Sequence, residues 1–190
     1  ITKFTEASKE LSPVTLSNHD MWYVFEELIR KFNEENNEEA WEHFTPREVI
    51  RLMTNILFLP LKETIKDKTI SIYDPCAGSG WMLSISKDFI KWPDSEIHSD
   101  WNIFTFGQEI NPETYALCKA DMLLKWERDN NIAFWSTLSN DWFPNEKFDF
   151  MLTNPPYGKS WKLDLAKLWN GKKENIMDPR FSIWVPGVWD

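Results

Sequence analysis

Glycine is scarce in this chain. Six of 190 residues are glycine, while tryptophan reaches twelve; average glycine usage is ~7%. Cysteine is scarcer still. Cys76 and Cys118 are too few for a disulfide framework, and no CxxC or Cys/His cluster suggests zinc. His19, His43 and His98 show no ligand spacing, so no metal is expected. No apolar run reaches membrane-spanning length, and no signal-peptide pattern opens the chain. A cytoplasmic protein without a membrane partner is expected. Basic residues are outnumbered, 21 Lys and Arg against 30 Asp and Glu, for a formal charge of −9. Such a surface repels nucleic acid, whose partners bind by neutralising phosphates; a nucleic-acid substrate would need grip from elsewhere. The chain starts without Met and stops at Asp190 in mid-pattern, which reads as a fragment truncated at its C-terminus.

The rest is ordinary for one globular domain with a sizeable core: 42% apolar and 27% charged residues. From Asp20, the residues Met21, Val24, Phe25, Leu28, Ile29 and Phe32 recur at helical spacing. Thr45-Pro46-Arg47-Glu48 reads as a capping box with proline at the first helical position. Residues 1–58 are thus expected to be a helical segment leading into a site carried by residues 59–190. In that second part "TISIY" (69–73), "IFTFGQE" (103–109), "NIAFW" (131–135) and "FDFMLT" (148–153) read as strands, and 81–90 and 111–125 as helices. The alternation predicts an α/β fold, a Rossmann-like parallel sheet with helices on both faces. After residue 161 the text reads as loop.

Ligands of such sheets bind beyond the carboxyl ends of the strands. Asp74, Glu109 and Asn154 close three of them. The loop "DPCAGSG" (74–80) lets backbone approach a ligand, because glycine has no Cβ, and a helix N-terminus follows with free N–H groups. It departs from GxGxxG, and a purely structural turn is the alternative. Glu109, closing the next strand, can accept hydrogen bonds from both ribose hydroxyls of a nucleoside cofactor. Asn154-Pro155-Pro156-Tyr157 is more specific. The prolines stiffen the backbone and remove N–H donors, so nearby carbonyls and the Asn154 side-chain oxygen present an accepting edge. That edge can hold an –NH₂ group that must become a nucleophile, and Tyr157 can stack on a base taken out of its duplex. The alternative is a proline-terminated strand with a buried tyrosine.

With "HFTPREVIRLM" upstream and "NPPYGKSW" downstream, the chain resembles S-adenosylmethionine-dependent adenine-N6 DNA methyltransferases. Most closely it resembles the modification subunit of type I restriction systems. The resemblance covers residues 20–189. It implies that Glu42, His43, Phe44, Thr45, Pro46 and Arg47 line the cofactor pocket beside Ser79, Gly80 and Trp81. It also implies that Asp74 and Gly78 shape the pocket, that Glu109 binds ribose, and that Asn154, Pro155, Pro156 and Tyr157 hold adenine. It implies DNA as substrate, gripped largely through a separate specificity subunit, and a restriction subunit as a further partner. Glutamine-amide and guanine-N2 methyltransferases use related motifs, and an inactive cofactor-binding or assembly fragment is the remaining alternative.

The chain departs from its relatives in one direction. They usually carry glycine where this chain has Trp22, Trp41, Trp81, Trp126, Trp135 and Trp184. A gene whose UGA codons mean glycine, translated with UGA as tryptophan, would produce this pattern.

Overall fold

The computed structural model describes residues 45–91, 95–125, 128–169 and 178–181, together with Glu27 and Lys31. The chain divides into two units, Ile1–Glu42 and His43–Asp190; the elements below belong to the second. The helix expected from Asp20, Glu42 to Phe44, and Trp22, Trp41, Trp126 and Trp184 lie outside the described residues.

Helix α1 spans Arg47–Phe58 and buries Ile50, Thr54 and Phe58, four apart and therefore on one face. Its N-cap is Pro46, whose carbonyl accepts from the N–H groups of Val49 and Ile50. The capping box expected at Thr45 is not formed, and the helix starts one residue later. A short helix α2, Lys62–Ile65, leads into strand β1, Ile70–Asp74. Then follow α3 (Trp81–Lys91), β2 (Ile103–Glu109), α4 (Pro112–Leu124), β3 (Ile132–Phe134), β4 (Phe150–Met151) and α5 (Lys162–Trp169). Asn111 caps α4, its side-chain oxygen accepting from the N–H groups of Glu113 and Thr114, with Pro112 in the first turn, where no N–H is missed.

The four strands form one parallel sheet in the order β3-β2-β1-β4. The chain thus runs outward from β1 to β3 and returns beside β1. The junction of β1 and β4 is a topological switch point, where a crevice opens beyond the strand ends.

Alternation along β1 and β2 sends side chains to two different environments. A Cβ on Gly107 would meet Leu83 of α3 at 3.1 Å, so Ile72, Thr105 and Gly107 face that helix. Tyr73 and Phe106 face the other way, onto Phe143 and Phe148; the Tyr73–Phe148 rings stack at 4.5 Å. Phe58 of α1 meets Phe150 edge-on at 5.1 Å, joining the first helix to the last strand. β4 is shorter than the expected 148–153. Ahead of it the Asp149 carboxylate bonds the N–H and hydroxyl of Ser71, and beyond it only Leu152 N–H continues the ladder, to Tyr73 O. Among the described residues no helix is long and apolar enough to cross a membrane.

Candidate active site at the carboxyl ends of the strands

Asp74 ends β1 and is 2% exposed. One carboxyl oxygen accepts from Cys76 N–H at 3.0 Å. The following loop folds back on β2, with Ala77 N–H donating to Gln108 O. It turns at Gly78 (φ 54°) and Gly80 (φ 85°), a region that side chains disfavour. A Cβ on Gly80 would also lie 2.7 Å from Cys118 Sγ, so no larger residue fits there. Ser79 between them is buried, and α3 starts at Trp81.

Glu109 ends β2 and holds this loop in place. Its Oε2 accepts from Gly78 N–H and its Oε1 from Asn111 N–H, both at 2.7 Å. Each carboxylate oxygen keeps a second lone pair for a ligand. Burial pushes the Asp74 carboxyl up to about 7, and the Glu109 charge adds to the rise. The bond from Cys76 opposes it. Burial also raises the Cys76 thiol to about 11. The Thr153 hydroxyl lies close enough to lower both groups but meets hydrogen-bond geometry with neither. The site therefore sets a buried carboxyl, its value raised by burial, beside the Glu109 side chain that holds two backbone N–H groups.

Asn154 lies beyond β4, and its side-chain N–H donates to the Thr45 hydroxyl at 3.0 Å. The guanidinium of Arg47 lies 5.9 Å from the Trp81 ring centroid. These two contacts bring the "TPR" of the upstream motif, the start of α3 and the Asn-Pro-Pro-Tyr segment to one place. With its nitrogen committed to Thr45, Asn154 offers a ligand its carbonyl oxygen. Pro46, Pro155 and Pro156 are exposed. Tyr157 is 82% exposed, and Gly158 turns the chain at φ 69°. Among the described residues no group of His, Cys, Asp and Glu could hold a metal ion.

Two parts of the site escape the motifs. The first is Gln108, 0% exposed. Its side-chain nitrogen donates to the carbonyls of Trp135 and Asn140, and its oxygen accepts from Trp142 N–H. A glutamine inside the apolar strand "IFTFGQE" was the available signal. The second is Asp178-Pro179-Arg180-Phe181, in text that reads as loop; Arg180 donates to Thr137 O and Leu138 O. Trp135, whose carbonyl accepts from Gln108, stands just past β3 at φ 153°, a conformation that suits glycine. Trp81, at the start of α3, has an ordinary negative φ.

The N-6 DNA methylase family's sequence model matches residues 16–188. The chain is 25% identical to the type I restriction enzyme HindI methylase subunit of Haemophilus influenzae, over 97% of this chain and 38% of that protein. It is 31% identical to the type I restriction enzyme MpnII methylase subunit of Mycoplasma pneumoniae, over 83% of this chain and 28% of that one. The type I restriction-modification system methyltransferase subunit of Streptococcus thermophilus superimposes with a TM-score of 0.55. It shares 33% identity, over 73% of this chain and 26% of that one. A class I S-adenosylmethionine-dependent methyltransferase structure from Listeria monocytogenes, 16% identical, has the same fold at a TM-score of 0.60. The chain spans less than half the length of each of these proteins. The parallel sheet is that of S-adenosylmethionine-dependent methyltransferases, and on a match that runs nearly end to end the chain belongs to the N-6 DNA methylase family.

Proposed function

We propose that this chain forms the catalytic core of an enzyme that methylates the N6 amine of adenine in DNA, as part of the modification subunit of a type I restriction-modification assembly. The observation that carries the reading is the Asn154–Thr45 hydrogen bond. It joins the two motifs on which the resemblance rests and leaves an amide oxygen as acceptor beside two residues without N–H groups.

The donor set suits S-adenosylmethionine. Glu109 has lone pairs left for two ribose hydroxyls, and the turn at Gly78 and Gly80 brings backbone close to a ligand. Thr45 to Arg47, Asp74, Ser79 and Trp81 complete the cofactor's surroundings. When bound, the cofactor supplies a methyl group on a sulfonium, which leaves as a neutral thioether. The protein's task is to ready the amine. Asn154 Oδ1 and the Pro155 carbonyl accept its two hydrogens, which keeps the nitrogen lone pair out of the ring and stabilises the positive charge that grows as the N–C bond forms. The extra proton then leaves to solvent. The exposed ring of Tyr157 is the surface on which a flipped base stacks.

A formal charge of −9 fits a subunit that leaves DNA grip to a specificity subunit, with a restriction subunit as the third member and the cytoplasm as location. The complete subunit with its specificity partner, given tritiated S-adenosylmethionine, tests the reading. Label should enter duplex DNA and not release-factor protein. Label in the protein alone would assign a glutamine-amide methyltransferase instead.

A further inference from the structure

Arg180 commits its whole guanidinium. Its Nε and one terminal nitrogen grip the Asp178 carboxylate at 2.6–3.1 Å. The terminal nitrogens also donate to Thr137 O at 2.6 Å and Leu138 O at 3.1 Å. The Asp141 carboxylate lies 3.5 Å from the same group. A planar fork with five N–H donors can hold two successive carbonyls and both oxygens of a carboxylate together; a lysine ammonium has three donors and no fork. The loop so held reaches the cofactor side, because the Thr137 hydroxyl donates to Pro75 O in the turn after β1.

The next residue points to the other side of the site. The Phe181 ring stacks on Trp161 at 6.5 Å and 22°, and Trp161 lies four residues after Tyr157. The Ser139 hydroxyl, in the loop that Arg180 holds, donates to Asp164 of α5 at 2.6 Å. The dipeptide Arg180-Phe181 thus touches both the loop bonded to the glycine turn and the end of the segment that carries Asn154 and Tyr157. We propose that Arg180 is a positioning residue that fixes the base-holding segment relative to the cofactor loop, with Phe181 as its second arm. The proposal rests on the methyltransferase reading for what is positioned, and on the contacts alone for the clamp.

Loss of Arg180 leaves Gln108 and Thr137 to hold the loop on the cofactor side. Cofactor binding should therefore survive while alignment suffers. The test uses the complete subunit with its specificity partner and compares Arg180→Met, Arg180→Lys and Phe181→Leu with wild type. Calorimetry with S-adenosylmethionine should change by less than about 3-fold, while the single-turnover methylation rate falls by about 10- to 100-fold, the scale of a small misplacement of reacting groups. Arg180→Lys should behave like Arg180→Met. Amide hydrogen exchange should quicken at residues 136–143 and 161–169 and stay unchanged in β1 and β2. A wild-type rate with unchanged exchange, or a loss of cofactor affinity equal to the loss of rate, would overturn the proposal. If wild type transfers no methyl to DNA yet exchange at 161–169 depends on Arg180, the functional reading fails and the clamp stands.

Discussion

Asn154 and Thr45 are 109 residues apart in sequence and share a hydrogen bond of 3.0 Å. Thr45 accepts from the nitrogen end of the Asn154 amide, which leaves the oxygen end for a ligand. Thr45→Val keeps the shape and removes the hydroxyl, so the amide can turn over and present a donor where an acceptor is required. Cofactor affinity should stay within about 3-fold of wild type and the methylation rate should fall by roughly 10-fold, less than the ~10²-fold expected for losing a preorganised group outright. Parallel calorimetry and single-turnover assays check both numbers.

Glu109 closes two backbone N–H groups, those of Gly78 and Asn111. Glu109→Ala leaves both without their acceptor and removes the partner proposed for ribose. Cofactor affinity should weaken by roughly 1–3 kcal/mol. Glu109→Gln should also fail, because one amide N–H must face a backbone N–H. Titration calorimetry of either variant at wild-type affinity would remove Glu109 from the cofactor site.

Asp74 predicts a pH dependence. Its ordinary value is 3.8 and the folded value is about 7, raised first by burial. Between these values the folded state holds a proton that the unfolded state has lost. Its contribution to stability is therefore complete below pH ~4 and is lost as pH rises toward 7, by ~1.4 kcal/mol per pH unit. Asp74→Asn should flatten that part of the curve. Urea unfolding from pH 4 to 8 measures the slope in both proteins.

Trp135 carries a test of the glycine deficit. At an ordinary position Ala is more stable than Gly by ~0.4–1 kcal/mol. At φ 153° the order should reverse, with Trp135→Gly more stable than Trp135→Ala by about 1–3 kcal/mol. Thermal unfolding of the pair decides it. UGA codons in the gene at 81 and 135, with an intact mass that fits glycine, would make these positions glycine in the native protein.

Much of this was legible in sequence, for reasons that differ by element. β2 matches "IFTFGQE" residue for residue because an apolar run bounded by polar text is a local signal, and α4 is announced by Asn111 and Pro112. Asp74 and Glu109 end their strands as that alternation implies, whereas Asn154 stands three residues past the end of β4. The capping box failed because Thr45 has a partner on Asn154 that no local pattern reports. β4 came out short because Asp149 spends its side chain on Ser71 and the prolines end the ladder. Arg180 was missed for the same reason as Thr45: its acceptors lie 42 and 43 residues back, and four residues of irregular chain have no period to read.

The measurement closest to the central claim is the nucleoside content of DNA methylated by the complete subunit and its specificity partner, with wild type beside Asn154→Ala. Digestion and mass spectrometry should find N6-methyladenine with wild type, formed roughly 10²-fold more slowly with Asn154→Ala at near-normal cofactor affinity. N6-methyladenine formed at the wild-type rate by Asn154→Ala, or a methyl group found on another base, would contradict the account.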